Sequence, residues 1–294
     1  MRYHVEHQTV YSYECPVSLS QQLLHLVPRD TPYQHCLTHT LHCMPAPQEQ
    51  SQRTDFFGNQ HDYLTILLPH QSLAVTSSFD VLLQARPTLS MLADSPAWEQ
   101  VRTALHDQAP QHLEASKFAY ASGKVKTSEA LAVFARQCFT SERPLLAAAM
   151  ALTQQIFQEF EFDDQATDVS TPLDEVLRGK RGVCQDFAHL MIGALRSLGL
   201  ACRYVSGYIL THPPAGQPRM VGADASHAWV SVYCPVYGWV DFDPTNNCLV
   251  QQEHITVAWG RDFSDVSPMR GVVLGGGAQQ LSVRVTVMPL AEPS

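Results

Sequence analysis

Residues Arg181–Leu200 read RGVCQDFAHLMIGALRSLGL. Phe187, Leu190, Met191, Ala194, Leu195 and Leu198 recur at the spacing of one helical face, which predicts a helix with a buried side. Gly182 stands where the chain must turn before the helix, and Gly199 where a left-handed C-terminal cap is expected. Cys184 falls at the helix start. Unpaired backbone N–H groups and the helix dipole favour an anion there. The placement therefore predicts a lowered thiol pKa and a nucleophilic thiolate. The alternative is one more small buried hydrophobe.

The sequence downstream decides between these. Residues 202–210 are strand-like, and 212–222 form a proline- and glycine-rich loop. Residues 227–233 alternate, with His227, Trp229, Ser231 and Tyr233 on one face. Pro235–Gly238 turns the chain, and Trp239–Asp243 reads as the antiparallel partner, ended by Pro244. A thiol nucleophile needs a base, and the base needs an orienting group. Cys184, His227 and an aspartate supply all three. Asp241 and Asp243 share a strand face, so periodicity leaves the third member open. The backbone N–H of Cys184 is placed to face a tetrahedral oxyanion. His189, five positions after Cys184, is turned away from the thiol.

Upstream, Thr171-Pro172 predicts the cap and first turn of a short helix closed by Gly179. Leu145, Ala149, Leu152, Ile156 and Phe160 mark a long helical face, Ser128–Phe139 another, and Trp98, Val101 and Leu105 a third. Residues 1–86 read instead as short strands. These are Tyr3–Tyr13, Leu23–Val27, residues 35–44, Tyr63–Leu68 after a Phe57-Gly58-Asn59-Gln60 turn, and the alternation Leu73–Leu83. The expected fold is α+β, with an N-terminal antiparallel β domain over 1–86 and a second domain over 87–294. The second domain divides into a helical part (about 95–200), a sheet part (about 201–250) and a tail strand at 281–287. That tail strand is a candidate to return to the β domain. Gly275-Gly276-Gly277 reads as a flexible hairpin before it.

The chain has 294 residues, with 45% hydrophobic and 16% charged, which describes a folded protein of about two domains. A net charge of −9 argues against nucleic acid or an anionic membrane as partner. The N-terminus has no apolar signal core, and no apolar run reaches membrane-spanning length. None of the eight cysteines forms a Cys-x-x-Cys pair, so reduced thiols in the cytoplasm are expected. His35, Cys36, His39, His42 and Cys43 cluster without the paired spacing of a zinc site, so no metal is expected.

Three segments resemble the motifs of the transglutaminase-like superfamily. They are Gly182-Val183-Cys184-Gln185-Asp186-Phe187-Ala188, Ser226-His227-Ala228-Trp229-Val230 and Gly238-Trp239-Val240-Asp241-Phe242-Asp243-Pro244-Thr245-Asn246. The first eighty-odd residues resemble the β-rich N-terminal domain of its bacterial members, including the Phe57-Gly58-Asn59 turn. Gly260–Val266 resembles a C-terminal motif of the same group. The resemblance implies a papain-like α+β core in which a Cys-bearing helix packs on an antiparallel sheet carrying His and Asp. It implies a triad of Cys184, His227 and Asp243, with Asp241 as a neighbour. Gln185, Asp186, Trp229 and Trp239 become supports of the oxyanion site and sheet. Arg261 and Asp262 either line the cleft or form a surface ion pair. No cofactor is implied. The expected function is thiol-dependent amide-bond chemistry through a thioester, as a cysteine peptidase or amidase acting on a peptide or protein. Glutamine transamidation and a non-catalytic protein-binding module are the alternatives. The oligomeric state stays open.

Overall fold

The computed structural model describes residues 1–86, 90–107, 109–167, 171–211, 224 and 226–291. The expected loop at 212–222 and the boundary at Pro87 lie outside these. The N-terminal region forms β1 (Arg2–Leu24), β2 (Gln34–Met44), β3 (Glu49–Thr54), β4 (Gln60–Ile66) and β5 (His70–Leu83). The two strands expected at Tyr3–Tyr13 and near Leu23 are one 23-residue strand. Glu14-Cys15-Pro16 breaks the hydrophobic pattern, and the register slips between Ser12 and Val17, so the strand bends without ending. Strand β3, EQSQRT, is exposed at every position and carries no burial pattern a sequence reading can detect.

Helices follow: α1 (Ser90–Asp94), α2 (Trp98–His106), α3 (Leu113–Ser116), α4 (Glu129–Arg136) and α5 (Leu145–Glu159). Trp98, Val101 and Leu105 are the buried face of α2, as their spacing predicts. The Ser128 side chain caps α4 by accepting from the Leu131 N–H at 3.2 Å. Next come β6 (Glu161–Phe162), α6 (Leu173–Gly179) and β7 (Arg181–Gly182). Gly179 is the last residue of α6, and the left-handed cap is Lys180 at φ 50°. The cysteine helix α7 spans Cys184–Ser197, and Gly199 at φ +81° turns the chain out of it. Leu190, Met191, Ile192 and Leu195 of α7 are fully buried, worth roughly 2 kcal/mol each by area.

The remaining elements are β8 (Cys202–Ile209), β9 (Ser226–Cys234), β10 (Gly238–Asp243), β11 (Cys248–Leu249), β12 (His254–Gly260), α8 (Phe263–Val266), β13 (Met269–Gly275) and β14 (Gln279–Leu290). One sheet has the order β11-β10-β9-β8-β12, with α7 packed on β8 and β9. Strand β12 escapes the sequence reading, although HITVAWG is rich in strand formers. The other sheet has the order β2-β5-β1-β4-β3, and β13 and β14 both pair with β1. The first half of β1 lies between β5 and β14, the second between β4 and β13. The C-terminal hairpin, turned by three glycines at positive φ, thus completes the N-terminal sheet.

The two sheets share a core. Tyr3, Val5, Phe79 and Val81 from one end of the N-terminal sheet join the helices and the second sheet in one hydrophobic cluster. Tyr13, Val17, Leu24, Ile66 and Leu73, at the other end, form a cluster of their own. Asn59, fully buried in the turn after β3, bonds both backbone groups of Trp259 in β12. Gln34 of β2 does the same for Thr256. The β domain is therefore bolted to β12, the strand that follows β10 and β11 in the chain.

Candidate active site

Cys184 begins α7 because the turn before it is capped by its own first-turn acid. The Asp186 carboxylate accepts from the Val183 N–H at 2.9 Å and from the Thr167 hydroxyl at 2.6 Å. Gly182 permits this, since a Cβ there would stand 2.7 Å from Asp186 Oδ2. Asp186 thus shapes the helix start that presents the thiol. Gln185 lines the cleft beside Cys184.

His227 enters from β9 and Asp243 from the end of β10. His227 Nε2 donates to Asp243 Oδ2 at 2.7 Å, both side chains being buried. The other ring nitrogen, Nδ1, is left for the Cys184 thiol, which lines the same cleft. Burial alone lowers the His227 pKa, but the bonds to Asp243 and Cys184 and their charges outweigh it and push it up to about 10. Burial raises the Asp243 carboxyl, yet hydrogen bonds from His227 and His254, and their charges, hold it far below the ordinary carboxylate range. Its Oδ1 also accepts from the N–H groups of Thr245 and Asn246 at 2.9 and 3.1 Å.

Two members of this group have no role assigned in the sequence reading. Asn246 Nδ2 donates to Asp243 Oδ2 at 2.6 Å. His254, opening β12, reaches the same oxygen through Nε2 at 3.0 Å. His254 had one available signal, a histidine at the head of a β-branched run. Its importance comes from β12 crossing to the far side of the sheet, which no local pattern encodes. His227, Asp243 and His254 offer ligand atoms within 4.8 Å of one another. A metal there would displace the hydrogen bond between His227 and Asp243.

The other expected support residues separate in space. Trp229 is fully buried and meets the His254 ring edge-on at 5.4 Å, walling the group from behind. Asp241 turns to Arg86 at 2.6 Å and to the Trp229 indole at 3.4 Å, away from His227. Trp239 stacks on Arg203, whose guanidinium carbon lies 3.8 Å from the ring centroids of both Trp239 and Trp259. Arg261 forms a bidentate surface pair with Asp265 at 2.9 and 3.0 Å, and Asp262 is buried as the cap of α8. Neither residue lines the cleft, because α8 turns both away from the thiol; its neighbour Phe263 is the one that faces it. His189 is buried, accepts from the Phe263 N–H at 3.1 Å, and has its pKa lowered to about 4 by burial.

A cleft of about 320 Å³ opens over Cys184 and His227. One wall comes from Val183, Gln185, Tyr204 and Phe263, beside the thiol. The other comes from the N-terminal sheet, with His7, Thr9 and Tyr11 of β1 and Leu281 and Val283 of β14. His7 Nδ1 bonds the Tyr208 hydroxyl at 2.8 Å across the join between the sheets. The cleft therefore exists only because β1 and the chain's last strand come together over α7.

Fold and site define an α+β protein of papain-like architecture with a thiol, imidazole and carboxylate at one cleft. The transglutaminase-like superfamily core matches residues 132–244, and the bacterial transglutaminase-like N-terminal region matches residues 3–82. An uncharacterized protein of Mycobacterium tuberculosis is 38% identical over 296 residues, 98% of this chain and 93% of the relative. A solved structure from Cytophaga hutchinsonii, described as a candidate cysteine protease, superimposes with a TM-score of 0.77 over 100% of this chain and 92% of its own, at 19% identity. A protein-glutamine gamma-glutamyltransferase of Pseudomonas aeruginosa is 33% identical over 107 residues, 34% of this chain and 16% of that protein. The chain belongs to the transglutaminase-like superfamily.

Proposed function

We propose that this protein is a cysteine peptidase or amidase that works through a thioester on Cys184. The observation that carries the reading is that Cys184 and His227 line one open cleft, with Asp243 bonded to the far nitrogen of the His227 ring at 2.7 Å. Cys184 passes its thiol proton to His227, the sulfur attacks the amide carbonyl carbon, and the carbonyl oxygen takes the negative charge. The first turn of α7, with Gln185 beside it, would supply backbone N–H donors to that oxygen. The C–N bond breaks as His227 delivers its proton to the leaving amine. Water, deprotonated by His227, then attacks the thioester, releasing the acid and restoring the thiol. Asp243 holds the ring through Nε2 and stabilises its charged form, so the proton moves at the other nitrogen. Superfamily membership and the description of the Cytophaga relative support amide chemistry of this kind. The eight free thiols suit a reducing, cytoplasmic compartment. No helix among the described residues is long and apolar enough to cross a membrane.

A second reading replaces water with an amine, giving transamidation of glutamine, and the similarity to the Pseudomonas transferase favours it. Mass spectrometry of wild type and Cys184→Ala on short peptides and glutamine peptides, with and without a primary amine, tests both. Shortened or deamidated peptides support hydrolysis, and amine adducts support transfer. A Cys184→Ala protein with full activity refutes the mechanism. An absence of turnover together with an inert thiol points to a protein-binding module instead.

A further inference from the structure

A second cluster lies outside the cleft, where β1, the turn after β3 and β4 meet. His25, Asp55 and His61 place ligand atoms within 4.8 Å of one another. His25 and His61 are 3% and 5% exposed. Neither ring nitrogen of His61 has a hydrogen-bond partner among the described residues, although both are buried. A buried polar atom left unpaired costs about 1–3 kcal/mol, so two on one ring call for an explanation.

His25 sharpens the question. Its Nδ1 lies 3.2 Å from the Ser267 carbonyl oxygen, which only accepts, so Nδ1 carries the proton. In the neutral ring, Nε2 is then a lone pair. It points at the Asp55 carboxylate 3.6 Å away, too far for a hydrogen bond and repulsive without a cation between. Asp55 is already oriented, with Oδ1 accepting from Phe57 and Asn59 N–H and Oδ2 from Asn59 Nδ2. A backbone carbonyl behind one imidazole and amides behind the carboxylate form the outer shell that fixes metal ligands. Arg29 also sits near Asp55, but its guanidinium is committed to Asn59 Oδ1, the Phe57 carbonyl and the face of Trp259.

We propose that His25 Nε2, Asp55 and one nitrogen of His61 bind a divalent transition-metal ion of the zinc class. Two imidazoles and one carboxylate suit zinc at about 2.0–2.2 Å, with water in the fourth position. Small side-chain movements inward from the present spacing reach those distances. The ion would tie the Asp55–Asn59 turn to β1 and β4. Since Asn59 grips Trp259, it would also stiffen the join to the sheet that carries His227 and Asp243.

The test uses the full chain in a Cys184→Ala background, stripped with a chelator and then titrated with zinc chloride alone. Metal content is measured by mass spectrometry, affinity by calorimetry and melting by circular dichroism. One zinc per chain and a raised melting temperature are expected. His61→Phe keeps the ring volume and removes both unpaired nitrogens. It should bind zinc at least about 100-fold more weakly, while its metal-free form melts no lower than the parent. His25→Gln, which retains a donor for Ser267, should also lose binding and serves if His61→Phe does not fold. His254→Gln should bind normally. Failure of the parent to take up zinc overturns the proposal, as does equal uptake by both cluster variants. Loss of binding only in His254→Gln also overturns it, by moving the metal to Asp243.

Discussion

His7→Gln should remove an acid sensitivity that the join between the two sheets imposes. His7 is 1% exposed, bonded to Tyr208 and Thr9, and burial lowers its pKa to about 4. In the unfolded chain the ring titrates near 6.5. A depressed histidine favours the folded state fully above pH 6.5 and loses that advantage as pH falls toward 4. At 1.36 kcal/mol per pKa unit, the difference in protonation removes about 2 kcal/mol between pH 8 and pH 5. His189 loses a similar amount over the same window. His227, raised to about 10, works in the opposite sense: its stabilisation is full below pH 6.5 and lost as pH rises through 10. Both contributions are common to wild type and His7→Gln, so they cancel in the comparison. The assay is urea unfolding of both proteins at pH 8 and pH 5, followed by far-ultraviolet circular dichroism. Wild type should lose about 2 kcal/mol more than the variant on acidification. Equal losses, within roughly 0.5 kcal/mol, would refute the claim that the His7 ring stays neutral at the sheet join.

Asp243→Ala strips the acceptor from two imidazoles and two backbone N–H groups. It should cost about 3–5 kcal/mol in unfolding and about 10⁴-fold in kcat/KM on any substrate found; activity within tenfold of wild type would remove Asp243 from the mechanism. Asn59→Ala leaves the Trp259 backbone unpaired between the two sheets and should lower stability by about 2–4 kcal/mol, measured by thermal melting. Gly182→Ala forces a Cβ to within 2.7 Å of Asp186 Oδ2. It should cost about 1–3 kcal/mol and slow iodoacetamide labelling of Cys184, with an unchanged labelling rate contradicting the proposed capping of α7.

Local pattern carries a large part of this molecule. The cysteine helix with its glycine exit, the strands that hold His227 and Asp243, and the buried stripe of α2 follow from periods of 3.6 and 2 acting over short windows. Parity could not separate Asp241 from Asp243; position does, because only Asp243 stands past the end of the β9–β10 pairing, where it meets His227, while Asp241 lies over Arg86. The tertiary structure alone decided which side chains surround Asp243, and it alone made the cleft. His254 reaches Asp243 because β12 crosses to pair with β8, and the wall over Cys184 exists because β14 returns to β1, at the opposite end of the chain. Such contacts depend on loop closure over long separations and on shared burial, and neither leaves a periodic trace in the residues that make them.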